Sequence, residues 1–307
     1  MLKAQNQFLK LSNGDTLAYS VINPDNVQTI LLIHGNMSEK NSWNRLIIEL
    51  SKFPYRIIAL DQRGYGESSY INKIEKIEDL SSDLKEFCQT LQLQDFIICG
   101  WSLGGVVTLQ FIAENPQLAK RAVLISCGHV EGFPLQIADA SGRNTNNDNS
   151  DNTQTRRVKS IEEVNAHPKI QYFKYIIQQQ DKISFKNICK AVLFNGLYAP
   201  SLECEELNQF AEGSLKQQNY AEIAFALSNF NITKTNLLDR IQCPVLIYHG
   251  AKDAVIPKHQ ALSNAEFIGK DKCKVIIKED FGHCPPYDSP NDLAIEINQF
   301  SQENLVQ

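Results

Sequence analysis

Long apolar runs are missing from this 307-residue chain. None approaches the ~20 consecutive apolar residues that a membrane-spanning helix needs. The opening Met1-Leu2-Lys3-Ala4-Gln5-Asn6-Gln7 also lacks the apolar stretch of a secretory leader, so a cytoplasmic location is the default expectation. Basic clusters are scarce too, with nothing longer than Arg156-Arg157. Thirty Lys and Arg against 35 Asp and Glu leave a net charge of −5, which argues against nucleic acid and anionic membrane as main partners. Eight cysteines are present, yet no CxxC or HxxxH spacing occurs, so a structural metal has little support and no cofactor is expected. The cysteines are scattered, and Cys99 and Cys127 end apolar runs. Buried free thiols are therefore expected rather than disulfides.

What remains is ordinary for a globular protein: 43% hydrophobic and 21% charged residues. The length suits either two average domains or one α/β core carrying an insertion. The most informative segment is Gly100-Trp101-Ser102-Leu103-Gly104. An apolar run, Asp95-Phe96-Ile97-Ile98-Cys99, precedes it and reads as a buried strand. Residues 105–113 follow it and read as a helix. A serine at such a corner sits on a tight turn with its hydroxyl above the sheet edge, and flanking glycines avoid collisions with strand and helix. The helix also aims its N-terminal N–H groups at the place where a developing anion would sit. Gly-x-Ser-x-Gly alone is a weak signal. Order strengthens it, because a displayed serine of this kind is followed by an acid and then a histidine, each after a later strand. Pro244-Val245-Leu246-Ile247-Tyr248-His249 leads into Gly250-Ala251-Lys252-Asp253, and Lys274-Val275-Ile276-Ile277 leads to Phe281-Gly282-His283.

The first third alternates strand and helix patterns. Residues 17–22 read as an early antiparallel strand, and 29–33, 55–60 and 121–126 as further strands. Residues 43–50 and 77–91 have helical period. Such alternation implies right-handed crossovers and a doubly wound sheet, whose sites lie beyond the carboxyl ends of its strands. After Ser126 the pattern breaks. Residues 141–155, including Asn144-Thr145-Asn146-Asn147-Asp148-Asn149, read as disordered. Helical stretches follow at 170–178, 188–197 and 220–230, and alternation resumes at Pro244.

Four segments in order resemble the α/β-hydrolase superfamily: Ile33-His34-Gly35-Asn36, Asp61-Gln62-Arg63-Gly64-Tyr65-Gly66-Glu67-Ser68, the Gly100-to-Gly104 turn, and Gly250 to Asp253 with Gly282-His283. The resemblance runs from about residue 17 to residue 300. It implies a mostly parallel, eight-stranded sheet from residues 1–127 and 239–307, with residues 128–238 as a helical cap. Gly-Trp-Ser-Leu-Gly-Gly is further similar to small carboxylesterases and cofactor-free haloperoxidases.

On this reading Ser102 is the nucleophile, His283 the general base, and Asp253 the acid that fixes the imidazole. Backbone amides of Asn36 and Leu103 form the oxyanion hole. His34 is expected to shape its loop and His249 to stand behind the site, while His129, His167 and His259 have no supporting context. Glu131, Glu279, Asp280 and Asp288 are rival acids. Asp61, Arg63 and Glu67 look like a charged centre but read as a structural turn, with Gly64 and Gly66 at special backbone angles. Trp101 and Phe133 are candidate pocket-lining residues, and Cys284 is incidental. The expected activity is hydrolysis of a carboxylic ester or related acyl bond in a small, apolar substrate. A haloperoxidase, a carbon–carbon bond hydrolase with extra polar cap residues, and a slow-turnover small-molecule receptor are the alternatives. A serine at position 102 argues against epoxide hydrolases and haloalkane dehalogenases, which use aspartate there.

Overall fold

Strands buried on both faces need helices on both faces, and continuous apolar runs supply them here. The computed structural model describes residues 5–135 and 157–303. The Asn-rich stretch at 141–155 lies outside these residues. Strands β1 (Gln5–Lys10), β2 (Thr16–Ile22), β3 (Gln28–Ile33), β4 (Tyr55–Leu60), β5 (Phe96–Trp101), β6 (Ala119–Ile125), β7 (Val245–Gly250) and β8 (Cys273–Lys278) form one sheet in the order β1-β2-β4-β3-β5-β6-β7-β8. β2 runs antiparallel to β1 and β4, and every other pairing is parallel. β5 and β7 are buried along their whole length.

The parallel pairs require crossovers. They are made by α1 (Asn44–Leu50), α2 (Ile77–Thr90), α3 (Leu103–Glu114), a helical segment after β6, and α9 (Lys258–Ile268) after β7. That segment contains α4 (Ile161–Ala166), α5 (Pro168–Gln179), α6 (Lys182–Ile188), a π-helical turn (Cys189–Leu193), α7 (Glu205–Ser214) and α8 (Tyr220–Asn229). After β8 the chain closes with α10 (Pro285–Asp288) and α11 (Pro290–Gln302). One apolar core lies between the sheet and α2, α3 and α9; the other takes in α1, α11 and much of the helical segment. No helix among the described residues is long and apolar enough to cross a membrane. All eight cysteines are free thiols.

The structure departs from the sequence reading at β1 and at several helices. β1 was not assigned: Gln5-Asn6-Gln7-Phe8-Leu9-Lys10 is mostly polar, as an edge strand tolerates. α4, α6 and α7 were missed as well, and α9, α10 and α11 were not assigned. The helix expected at 188–197 instead widens into the π turn and stops at Leu193. Beyond it, Asn195 Nδ2 donates to the Lys252 carbonyl at 2.7 Å and the Tyr198 amide donates to Asp288 at 2.9 Å. These tertiary bonds hold the backbone in a form that cannot continue the helix.

Candidate active site

Ser102 occupies the corner between β5 and α3 with φ 54° and ψ −115°. A side-chain-bearing residue in that region carries about 1–3 kcal/mol of strain, so its surroundings must hold it there. They do. Its amide donates to the Ile125 carbonyl at 2.9 Å, which ties the corner to β6. Its carbonyl accepts from the amides of Gly105 at 3.0 Å and Val106 at 3.2 Å. A Cβ on Gly100 would overlap the Gly104 carbonyl, and one on Gly104 would overlap the Ile33 carbonyl. The glycines thus let this strand-to-helix corner, the elbow that displays Ser102, approach both its own helix and β3.

The turns after β7 and β8 bring Asp253 and His283 to the same rim. His283 Nδ1 lies 2.8 Å from Asp253 Oδ2, and Nε2 lies 3.1 Å from Ser102 Oγ. The second carboxylate oxygen of Asp253 accepts from the amides of Val255 and Ile256, both at 2.8 Å. Burial opposes ionisation of this carboxyl. The His283 charge and hydrogen bond, together with the Ile256 amide, outweigh burial and hold its pKa below the usual range. The His283 turn is fixed from outside by Asp288, whose Oδ2 accepts from the Gly282 amide at 2.7 Å.

Ser102 and His283 open onto a cavity of about 210 Å³. Its far wall comes from the helical segment, including Ile170, Phe173, Phe185, Val192, Leu193 and Leu227. Asn36 and Leu103 line the same cavity beside Ser102. Among the described residues neither of their backbone amides has a hydrogen-bond acceptor. Leu103 is the first residue of α3, where an amide is left free by helix geometry.

Other singled-out residues fall in different places. Phe133 lines the cavity. Trp101 does not. As the strand neighbour of Ser102 its side chain points the opposite way, is buried against Trp43, and donates from Nε1 to the His283 carbonyl at 2.8 Å. It supports the histidine turn from beneath. Glu131 lies beside His129, 3.7 Å from its Nδ1. Asp280 pairs with Lys252 at 2.7 Å. His34 braces its own loop, with Nδ1 bonded to the Gly35 carbonyl at 2.7 Å and Nε2 accepting from the Gln62 amide at 3.1 Å. Burial lowers its pKa, with Asp61 opposing. His249 lies behind Asp253, 3.6 Å from its Oδ2, and is bonded to the Ile256 carbonyl. Gly64 and Gly66 have φ of 80° and 51°, and Arg63 Nε donates to Asp83 at 2.7 Å. Burial pushes the Cys284 thiol up, which leaves it unreactive.

Gln217 and Asn219 were missed. They sit in the polar run Lys216-Gln217-Gln218-Asn219, which carries no periodic signal and reads as a solvent loop. Both are buried. Gln217 reaches Asn36 and Tyr65, and Asn219 donates to the Arg63 carbonyl at 2.8 Å.

A family model described as the alpha/beta hydrolase fold matches residues 28–290. A bifunctional esterase/perhydrolase of Acinetobacter calcoaceticus is 25% identical over 310 residues, covering 95% of this chain and 96% of its own. Among solved structures, an esterase from Exiguobacterium antarcticum superposes with TM-score 0.75 at 20% identity, covering 97% of this chain and 100% of that one. A bromoperoxidase from Bacillus anthracis gives 0.72 at 18% identity, over 97% and 100%.

Proposed function

The chain belongs to the α/β-hydrolase fold family, and within it we propose that it is a serine hydrolase cleaving a carboxylic ester or related acyl bond. One observation carries this reading. A continuous line of hydrogen-bonding atoms runs from Asp253 through His283 to Ser102 and ends at an apolar cavity. Ser102 Oγ attacks the acyl carbon as His283 Nε2 takes its proton, and Asp253 stabilises the imidazolium that results. The amides of Asn36 and Leu103 receive the negative charge that develops on the carbonyl oxygen. His283 then protonates the leaving alcohol. A water activated by the same nitrogen releases the acid from the acyl-enzyme.

The helical segment after β6 serves as the cap and supplies the acyl pocket. Its mostly apolar wall supports an apolar acyl group, and about 210 Å³ suits one of modest length. The same wall weighs against the carbon–carbon hydrolase reading, which calls for polar cap residues around a charged, conjugated substrate. Perhydrolysis is the second reading. It uses the same acyl-enzyme with hydrogen peroxide in place of water, and the Acinetobacter relative named for both activities favours it.

The test is turnover of p-nitrophenyl esters of increasing acyl length by wild type and by Ser102→Ala. Activity that peaks at short to medium chains and vanishes in the variant supports the proposal. Undiminished turnover by the variant, or none by wild type, refutes it.

A further inference from the structure

Gln217 is only 2% exposed, although it belongs to the cap and lies far in sequence from the catalytic turns. Its Oε1 accepts from the Met37 amide at 3.1 Å, and its Nε2 donates to Asn36 Oδ1 at 2.8 Å and to Asn219 Oδ1 at 2.9 Å. The Met37 amide only donates, so this orientation of the glutamine amide is the one that satisfies both neighbours. Buried Tyr65 completes the clamp by donating its hydroxyl to Asn36 Oδ1 at 2.8 Å. Gln218 and Asn219 anchor the same cap turn to the core through the carbonyls of Gly64 at 2.9 Å and Arg63 at 2.8 Å.

Met37 has φ 51°, a conformation that a side-chain-bearing residue keeps only when its surroundings enforce it. Gln217 is the group on its amide. The clamp therefore holds both sides of the Asn36–Met37 linkage: the side chain before it and the N–H after it. Asn36 lines the cavity beside Ser102, and its N–H has no acceptor among the described residues, so bracing its side chain and the next amide fixes the direction of a donor that is still free. From the other side His34 braces Gly35.

We propose that Gln217 is a positioning residue for acyl transfer, contributed by the cap, that presets the Asn36 N–H to receive the oxyanion. The inference rests on the serine-hydrolase reading above. A donor fixed before charge appears acts on the transition state, not on the neutral ester. Loss of the clamp is therefore expected in kcat, with KM little changed.

The test uses the full chain with Gln217→Met, which keeps the shape and removes every hydrogen bond. Gln217→Glu is the companion, since it still accepts from Met37 but cannot donate to Asn36. Each is assayed for kcat and KM on the best p-nitrophenyl ester, for thermal midpoint, and for inhibition by an alkyl trifluoromethyl ketone. That ketone adds to the serine as a tetrahedral oxyanion; the methyl ketone of equal length is the ground-state control. We expect Gln217→Met to lose at least about tenfold in kcat, below the loss from deleting a donor outright. KM should stay within about twofold, and trifluoromethyl ketone affinity should fall by the same factor as kcat. Methyl ketone affinity should hold, and Gln217→Glu should fall between wild type and Gln217→Met. If Gln217→Met does not fold, Gln217→Glu must show the same coupled loss. A folded variant with unchanged kcat and trifluoromethyl ketone affinity overturns the inference, as does a loss confined to KM or to the thermal midpoint. A wild type that neither turns over esters nor binds the trifluoromethyl ketone withdraws the hydrolase reading itself, and the inference with it.

Discussion

Two buried polar clusters in this protein use similar residue types and end differently. Around Asp61, Lys40 approaches from its ammonium group at 3.0 Å and its amide at 2.7 Å, and the Glu67 amide donates at 2.9 Å. Nearby, Arg63 is held by Asp83 at 2.7 Å, the Asn72 carbonyl at 2.9 Å and Asp15 at 3.8 Å. Each of these charges meets an internal partner, so the cluster closes on itself. Around Asp253 the chain of bonds instead passes through His283 and stops at a hydroxyl on a strained residue facing a cavity. A closed cluster fixes a turn. An open one has an atom left over for chemistry.

Mutations should separate the two. Ser102→Ala or His283→Ala should cost about 10⁶-fold in kcat, and Asp253→Asn about 10⁴-fold, as in other triads. The thermal midpoint of Ser102→Ala, which breaks no charged pair, should change little, and ester assays with melting curves read both quantities. Asp61→Asn should do the reverse. Removing one partner of a buried ion pair costs about 3–5 kcal/mol of stability, while the folded fraction should keep kcat within about threefold. Urea unfolding beside activity checks this, and a large kcat loss at full stability would erase the distinction between the clusters.

Smaller effects sharpen the open side. Ala224 lines the cavity, so Ala224→Phe should shift preference toward shorter acyl chains. The expected change in kcat/KM ratio is about tenfold or more, since each methylene in an apolar pocket is worth about 1–3 kcal/mol. The smallest effect is on pH dependence of stability. The Asp253 carboxyl titrates below its unfolded value, so its contribution is present above about pH 4 and lost as pH falls through the folded pKa. Asp253→Asn lacks that contribution, and its thermal midpoint should fall less steeply than wild type on acidification below pH 5.

The sequence made the elbow, the two later turns and the central strands legible because each rests on local chemistry. An apolar run buried on both faces and a glycine that no Cβ can replace leave marks in consecutive residues. The clamp at Gln217 left none, since its partners Asn36, Met37 and Tyr65 lie more than 150 positions away and its own neighbours are polar. Trp101 was misjudged for a related reason: adjacency to Ser102 in sequence places it on the opposite face of β5. β1 escaped notice because an edge strand needs only one apolar face, and the helix at 188–197 was cut short by bonds from Asn195 and Tyr198 to distant turns.

The account depends on Ser102 being the nucleophile that His283 activates. The direct measurement is reaction of the full chain with a fluorophosphonate, followed by peptide mapping of the adduct. The expected result is one adduct, on Ser102, forming rapidly in wild type and barely in His283→Ala. An adduct on another residue, equal labelling in His283→Ala, or no labelling of folded wild type would contradict it.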